Sequence, residues 1–169
     1  MPDRDFSQRD SVIMEMESYF LQPGYIYANR EAVFLNTVLG SCVAVALWDR
    51  KLQFGGMCHF IYPVQGKNSR NAQYGDVSIP YLVHLMRDLG SKKSDLMAHV
   101  VGGGVNPDFN SYIGEKNAKL AEEILKKLQI DITTLDVGGS VGKKTSFNTL
   151  TGELLVYTTT RIRDDDWYK

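Results

Sequence analysis

The sequence has few cysteines, almost no net charge and no long apolar run. Two cysteines in 169 residues give no disulfide framework, which excludes a small disulfide-stapled scaffold. A formal net charge of -1 leaves no basic field to hold a phosphate backbone, so we expect no nucleic-acid partner. The longest apolar run, near Val43, has six residues, and the charged N-terminal residues do not resemble a secretory signal. We therefore expect a cytoplasmic protein that does not insert into a membrane.

The length and composition are those of one soluble domain. Hydrophobic residues make up 43% and charged residues 23% of the chain, enough to bury a core in a single domain spanning residues 1–169. Within it we interpret residues 1–20 as an N-terminal extension that can dock as a helix or strand. The charged residues 159–169 are interpreted as a solvated tail.

Strands dominate the first half of the chain. "AVFLNTVLGSCVAVALWD" is a β-rich region that breaks at Gly40-Ser41, and its second half, residues 43–48, is apolar like a strand buried on both faces. "DRKLQFGG" predicts a hairpin connection to the next strand, "GMCHFIYP". The polar residues 64–76 predict a loop beside these strands, of the kind that often carries function.

Two helices follow, separated by a strand. Ser78 as a cap and Pro80 in the first turn predict the start of the first helix, and Gly90 predicts its end. The second helix is predicted to begin near Glu115 or Asn117. Between them, "DLMAHVVGGG" predicts a strand that runs into a glycine turn at residues 102–104, and a later hairpin is predicted at residues 151–152.

The break at Gly40-Ser41-Cys42 is the strongest candidate for chemistry. A tight turn exposes a sulfur and leaves backbone N–H groups free to stabilise an oxyanion, so Gly40 and Ser41 are candidate oxyanion donors. A thiol near its reference pKa of ~8.5 is mostly protonated at neutral pH, so a nucleophile needs a base nearby. The alternative is a small buried thiol without chemistry, which is the usual state of a free cysteine.

His59 is the candidate base. Side chains alternate along a strand, so His59 shares a face with Met57 and Ile61, while Cys58 points the other way. If the two strands pair as a hairpin, His59 can face Cys42 across the ladder. The alternative is a satisfied, half-buried histidine. The other two histidines are predicted to have no site role: His84 as an exposed helix residue and His99 as a structural strand residue.

Other kinds of site fit the sequence less well. The cysteines and His59 lack the paired spacings of a zinc site, so we expect no metal. "VGGSVGKKTSF" and "VVGGGVNP" miss the spacings of phosphate-binding loops and are predicted to be turns. A redox sensor built on Cys42 and Cys58 requires the two sulfurs to approach within bonding distance, which their predicted opposite faces oppose.

Taken together, these stretches resemble the CheD family of chemoreceptor glutamine deamidases. The resemblance rests on "TVLGSCVAVALWD" followed by "GGMCHFIYP", with "PGYIYANRE" upstream. It continues through "YGDVSIPYLVHLM", "VVGGG", "IGEKNAKLAEEIL" and "DVGGSVGKKTSFNTLTGELLVY", and covers about residues 20–158. It implies an α+β protein with mixed β-sheets packed in the centre and helices outside, similar to cysteine-hydrolase deamidases.

The same resemblance implies the site residues and the reaction. Cys42 takes the position of the nucleophile and His59 that of the histidine. The third polar residue falls on Thr37 or Asn36, which would face opposite sides of a strand, so only one of them can orient His59. His59 would take the proton of Cys42 to give a thiolate–imidazolium pair. The thiolate would then attack a glutamine side-chain amide through a thioester intermediate, without a cofactor.

The resemblance also implies the partners. The protein substrates would be methyl-accepting chemotaxis receptors, and a CheC-type phosphatase would be a possible partner. The rival interpretation is a regulatory binding partner of that phosphatase with weak or lost catalysis. Under that interpretation, replacing Cys42 would leave the cellular phenotype unchanged.

Overall fold

Two β-sheets stacked face to face form the centre of the molecule. The computed structural model describes residues 6–65, 70–106, 108 and 112–159, and within them nine strands and three α-helices are present. In chain order these are α1 (Phe6–Glu15), β1 (Glu17–Phe20), β2 (Ile26–Asn29), β3 (Val33–Leu39), β4 (Val43–Asp49), β5 (Phe54–Phe60), α2 (Gly75–Asp88), β6 (Leu96–Gly102), α3 (Ile113–Lys127), β7 (Asp131–Val137), β8 (Gly142–Asn148) and β9 (Leu154–Thr159).

The two sheets differ in their order and in what covers them. The first sheet has the order β1-β3-β8-β9 and the second the order β2-β5-β4-β6-β7, each with one parallel pair among antiparallel ones. Helices α2 and α3 pack on the second sheet, against β5, β6 and β7. The arrangement therefore has a helical layer, a five-stranded sheet and a four-stranded sheet. The expected α+β fold with central mixed sheets and outer helices is confirmed.

Two separate apolar clusters fill the spaces between these layers. One lies between the second sheet and the helices and includes Val45, Cys58 and Phe60. The other lies between the two sheets and includes Cys42 and Met57. Strand β5 contributes alternate side chains to the two clusters, which is the period-two alternation expected of a strand with both faces covered.

The predicted strand break at Gly40-Ser41 is one of the points where the chain changes sheets. Strand β3 belongs to the first sheet and β4 to the second, so residues 40–42 cross from one sheet to the other. The predicted hairpin between β4 and β5 is confirmed, with His59 opposite Ala44. Cys42 stands two residues before Ala44, ahead of the first ladder pair. His59 therefore pairs with Ala44 and not with Cys42, and the expectation that the His59 and Cys42 side chains face each other stays a prediction.

Two adjacent glycines let β5 pack closely on both of its faces. A Cβ at Gly55 would lie 3.0 Å from the Phe147 ring of the first sheet. A Cβ at Gly56 would lie 3.0 Å from the Leu82 side chain of α2 on the other face. Each Cβ would also come closer still to a backbone carbonyl of a strand that pairs with β5, so any larger residue would disturb the sheet itself as well as the packing of the layers. The sequence "FGG" therefore fixes how near the neighbouring layers approach β5.

The predicted start of the first helix is wrong by several residues. Helix α2 begins at Gly75, so Ser78 and Pro80 lie inside it and neither caps it. The backbone N–H groups of Gly75 and Asp76 donate to the carbonyls of Tyr62 and Pro63, at 2.8 and 3.1 Å. These tertiary carbonyls do the work of an N-cap, which no local sequence signal reveals.

Other element boundaries agree more closely with the sequence. Helix α2 ends as predicted before Gly90, whose φ of +108° suits glycine alone. Helix α3 begins at Ile113, slightly earlier than predicted. The predicted hairpin at residues 151–152 is confirmed between β8 and β9.

The sequence also predicts an N-terminal extension, a solvated tail and a loop at residues 64–76. The N-terminal stretch contributes α1 and β1, and β1 pairs with β3. Residues 1–5, residues 160–169 of the predicted tail and residues 66–69 of the predicted loop lie outside the described residues.

Replacing Phe147 by Ala should destabilise the protein by about 3 to 5 kcal/mol, because a fully buried aromatic side chain leaves a cavity between the sheets. Its ring lies over Gly55 and meets His99 edge-on, with 5.8 Å between ring centroids. Urea unfolding measures the change. Tyr157→Ala on the neighbouring strand is the control, since that side chain is 58% exposed and its loss should be small. A loss below about 1 kcal/mol for Phe147→Ala would contradict a core that depends on this ring.

Candidate active site

Cys42 lies on the turn that joins the two sheets, and this turn is anchored through its carbonyls. The carbonyl of Gly40 accepts from the N–H of Gly104 and that of Cys42 from the N–H of Gly103, both at 2.8 Å. The carbonyl of Ser41 accepts from the Asn117 side chain at 2.9 Å. Among the described residues, the N–H groups of Ser41 and Cys42 have no carbonyl partner.

The glycine turn predicted at residues 102–104 packs against the turn that carries Cys42. Gly102 and Gly103 have φ values of +113° and +63°, in the region that glycine adopts without strain. A Cβ at Gly102 would also collide with the carbonyl of Cys42. The "VVGGG" stretch therefore lets one backbone lie directly against another, and it holds the turn that carries Cys42.

His59 lies on the inter-sheet face of β5. Its neighbours on that face, Met57 and Ile61, belong to or pack against the cluster that contains Cys42. Cys58 belongs to the helix-side cluster, so the prediction that Cys58 and His59 point to opposite faces is confirmed. His59 is fully buried. The structure thus brings the imidazole and the Cys42 thiol into one inter-sheet layer.

Thr37 reaches His59 from the opposite sheet. The Thr37 hydroxyl donates to the Leu21 carbonyl at 2.7 Å, and its oxygen lies 2.8 Å from His59 Nδ1. Because that hydroxyl proton is already committed, the Thr37 oxygen accepts from Nδ1–H. The Leu21 carbonyl lies 3.4 Å from the same nitrogen and also requires a donor. The network places the imidazole proton on Nδ1 and leaves Nε2 as the basic nitrogen.

Asn36 lies on the other face of β3. Its side-chain nitrogen donates to the Ser18 hydroxyl at 2.5 Å, and the residue is half-buried. Of the two candidates for the third polar position, the structure brings Thr37 and not Asn36 to the imidazole.

Burial sets the protonation states of the free protein. It raises the pKa of the Cys42 thiol to about 11 and lowers the pKa of the His59 imidazole to about 4. Each shift has the same cause, since a charged form loses water that the surrounding apolar layer does not replace. At neutral pH the two groups are therefore a neutral thiol and a neutral imidazole.

The remaining cysteine and histidines lie away from this layer or have structural contacts. Cys58 is fully buried on the helix side of the second sheet, and both cysteines are free. Their opposite faces do not support a redox pair. His84 is exposed on α2, as predicted, and lies 3.2 Å from Asp88. His99 Nε2 lies 2.7 Å from the Gly152 carbonyl, and this contact supports the structural interpretation of His99.

Two groups near the site were not found by sequence reasoning. The Leu21 carbonyl contacts both Thr37 and His59, but a backbone group leaves no sequence signal beyond the neighbouring Pro23-Gly24 turn. The Asn117 side chain reaches both the Ser41 carbonyl and the Ile61 carbonyl. In the sequence Asn117 marked only a possible helix start, and a polar residue on the apolar stripe of α3 was the signal that could have found it.

Neither a metal cluster nor a membrane helix is found in the described part of the chain. No group of three or more His, Cys, Asp or Glu side chains could hold a metal ion there. None of the described helices is long and apolar enough to cross a membrane.

The predicted turn in "VGGSVGKKTSF" is confirmed, with Gly138 and Gly139 at φ values of +84° and +78° between β7 and β8.

Comparison with known proteins gives the family of this two-sheet α+β fold. The family model described as CheD chemotactic sensory transduction matches residues 63–158. A protein of Trichlorobacter lovleyi named "Probable chemoreceptor glutamine deamidase CheD" is 38% identical over 145 residues, covering 83% of this chain and 90% of its own. A protein of the same name from Sulfurimonas denitrificans is 32% identical over 148 residues, covering 85% and 95%.

The chain belongs to the CheD family. The likeness extends to archaea, since a Methanosarcina acetivorans protein named "Probable chemoreceptor glutamine deamidase CheD 1" is 38% identical over 73% of this chain. The family-model match begins after Cys42 and His59, so it supports the family without testing these two residues.

The buried imidazole should make the stability of the protein fall between pH 6.5 and pH 4. The folded pKa of His59, about 4, lies below its unfolded value of 6.5, so protonation favours the unfolded chain. The stabilisation is complete above pH 6.5, is lost as the pH falls to about 4, and amounts to about 3 kcal/mol. Urea unfolding across this range should show a steeper slope for wild type than for His59→Gln, in which the buried His99, whose pKa is also lowered by desolvation, still contributes.

His84→Gln is the control for this experiment, because that imidazole is exposed and its removal should leave the wild-type slope intact. Parallel pH profiles for wild type and His59→Gln would contradict a buried, neutral His59.

Proposed function

We propose that this protein hydrolyses glutamine side chains of chemoreceptors to glutamate, with Cys42 as nucleophile and His59 as general base. One observation carries the proposal: an imidazole whose Nδ1 is fixed by Thr37 shares an inter-sheet layer with a cysteine on a tight turn. A nucleophile, a base and a group that orients the base are the parts that covalent amide hydrolysis needs. The names of the CheD relatives supply the substrate class.

The first half of the reaction forms a thioester. His59 Nε2 takes the thiol proton of Cys42 while the sulfur attacks the side-chain carbonyl carbon of glutamine. Because burial keeps the free thiol and imidazole neutral, proton transfer accompanies formation of the C–S bond rather than preceding it. The imidazolium then gives its proton to the amide nitrogen, the C–N bond breaks, and ammonia leaves.

The nucleophile turn stabilises the oxyanion that develops in this step. The carbonyls of Gly40, Ser41 and Cys42 are all held from behind by other groups. The N–H groups of Ser41 and Cys42, which lack carbonyl partners among the described residues, donate to the substrate oxygen. Donors that are already oriented need no reorganisation when the charge appears.

The second half of the reaction releases glutamate. His59 Nε2 takes a proton from water, the resulting hydroxide attacks the thioester carbon, and the C–S bond breaks. The proton returns to the Cys42 sulfur, which restores the neutral pair. The products are glutamate on the receptor and free ammonia, and no cofactor takes part.

The surface around Cys42 suits a protein substrate. Cys42 is 7% exposed, and Ser41 beside it is exposed. A glutamine side chain is long enough to bring its amide to the sulfur while its own backbone stays outside. A receptor helix can therefore be modified without unwinding.

The burial of Cys42 also favours a second candidate function. A thiol with a pKa of about 11 is a poor nucleophile until something removes its proton. A protein with such a thiol can serve mainly as a regulatory binding partner of a CheC-type phosphatase, with weak or absent catalysis.

Cys42→Ala should abolish deamidation, because no other described thiol faces the inter-sheet layer. Purified wild type, incubated with a cytoplasmic chemoreceptor fragment from the same organism, should convert specific glutamines to glutamate, as read by peptide mass spectrometry. Cys58→Ala is the matched control and should retain activity. Wild type that captures a phosphatase but modifies no co-resident receptor would move the function to the binding partner.

Thr37→Val should lower kcat by about a hundredfold with little change in KM, because the isosteric side chain removes only the hydroxyl that orients His59. Asn36→Ala is the paired control on the same strand and should leave both constants unchanged. Steady-state kinetics of ammonia release measure both variants. Loss of kcat in Asn36→Ala with retention in Thr37→Val would assign the orienting role to Asn36.

A further inference from the structure

Asn117 is a fully buried polar residue on α3. Its side chain bonds to two segments at the same end of the second sheet, one just before β4 and one just after β5. Its Nδ2 donates to the Ser41 carbonyl at 2.9 Å and to the Ile61 carbonyl at 2.8 Å. Ser41 adjoins Cys42, and Ile61 follows His59 by two residues. One amide nitrogen therefore contacts both the turn of the nucleophile and the strand end of the base.

The orientation of this amide is set by its partners. Both are carbonyl oxygens, which can only accept, so the nitrogen and not the oxygen must face them. Asn117 Oδ1 is buried and has no hydrogen-bond partner among the described residues. A buried acceptor without a partner is unfavourable. The two hydrogen bonds that the amide nitrogen donates therefore outweigh the cost of the unpaired oxygen.

Helix α3 lies close enough to the nucleophile turn for this contact because of a second residue on the same face. Gly114, three residues before Asn117, packs directly on the backbone of Gly103 and Gly104. Any Cβ at Gly114 would collide with the Gly104 carbonyl. The glycine segment that receives Gly114 is also the one that holds the carbonyls of Gly40 and Cys42. Helix α3 thus braces the turn both through this segment and directly through Asn117.

We propose that Asn117 is a positioning residue that fixes the Cys42 turn relative to the His59 strand. It touches neither reacting group and acts through the Ser41 and Ile61 carbonyls. The two hydrogen bonds share one nitrogen, so a shift of either segment relative to the other breaks one of its bonds to Asn117. The inference rests on the proposed function for its catalytic consequence, but the positioning itself is a property of the free protein.

Asn117→Leu tests this role, because leucine is similar in size and removes both donors. With the receptor fragment as substrate, kcat should fall by about a hundredfold with KM unchanged, as expected when reacting groups are misplaced. The loosened turn should also expose Cys42. Its alkylation by iodoacetamide at pH 8 should become about tenfold faster, because a recovered pKa unit gives a tenfold larger thiolate fraction. Cys58 should stay unreactive in the same peptide maps.

Leu125→Ala is the matched control for a merely structural effect. Leu125 is fully buried on α3, two turns after Asn117, and packs in the helix-side cluster. Its loss should lower the free energy of unfolding while leaving kcat and the Cys42 alkylation rate unchanged. Asn117→Ala is a second variant in case Asn117→Leu fails to fold, because it removes both donors without filling the site, and it should show the same loss of kcat and the same selective exposure of Cys42.

The outcomes separate this inference from the proposed function. If wild type does not deamidate the receptor but Asn117→Leu still exposes Cys42 selectively, the positioning role stands and the proposed function fails. If wild type deamidates and the Asn117 variants keep its kcat, or if Leu125→Ala reproduces their effects at equal stability, the positioning role is overturned.

Discussion

A hydrogen bond between Thr37 and His59 connects the two sheets at the candidate site. Thr37 belongs to the four-stranded sheet and His59 to the five-stranded one, and the 2.8 Å contact crosses the layer between them. The turn that carries Cys42 is one of the covalent links between the same two sheets. The proposed base, its orienting group and the proposed nucleophile therefore depend on one relation, the stacking of sheet on sheet. The core around Met57 and Phe147 maintains that relation.

The low polarity of the layer between the sheets affects both how closely the sheets pack and how the groups of the candidate site interact. Burial keeps the thiol and the imidazole neutral, which favours close packing of the two sheets. The same burial strengthens any hydrogen bond that forms there, including those from the turn to a developing oxyanion.

Sequence patterns predicted the parts of this site that depend on local geometry. Strand alternation separated His59 from Cys58, and the glycine break located Cys42. The choice between Asn36 and Thr37 could not be made, because it depends on which face of β3 meets the other sheet. The start of α2 and the role of Asn117 both involve carbonyls that are distant in sequence, and no local pattern records such partners. The protonation states required the burial that only the folded chain provides.

The glycine pair in β5 has a consequence for folding fidelity. Adjacent residues of this strand serve opposite layers, so a slip of one residue in its pairing would exchange His59 for Cys58 on the inter-sheet face. Two thiols would then share a layer, and an oxidant could trap that wrong register as a disulfide. Gly55 under the Phe147 ring and Gly56 under Leu82 oppose the slip, because a shift in either direction would bring a larger side chain, that of Phe54 or Met57, to one of the two places. The two glycines thus favour the observed register of β5, which keeps the Cys58 thiol out of the inter-sheet layer.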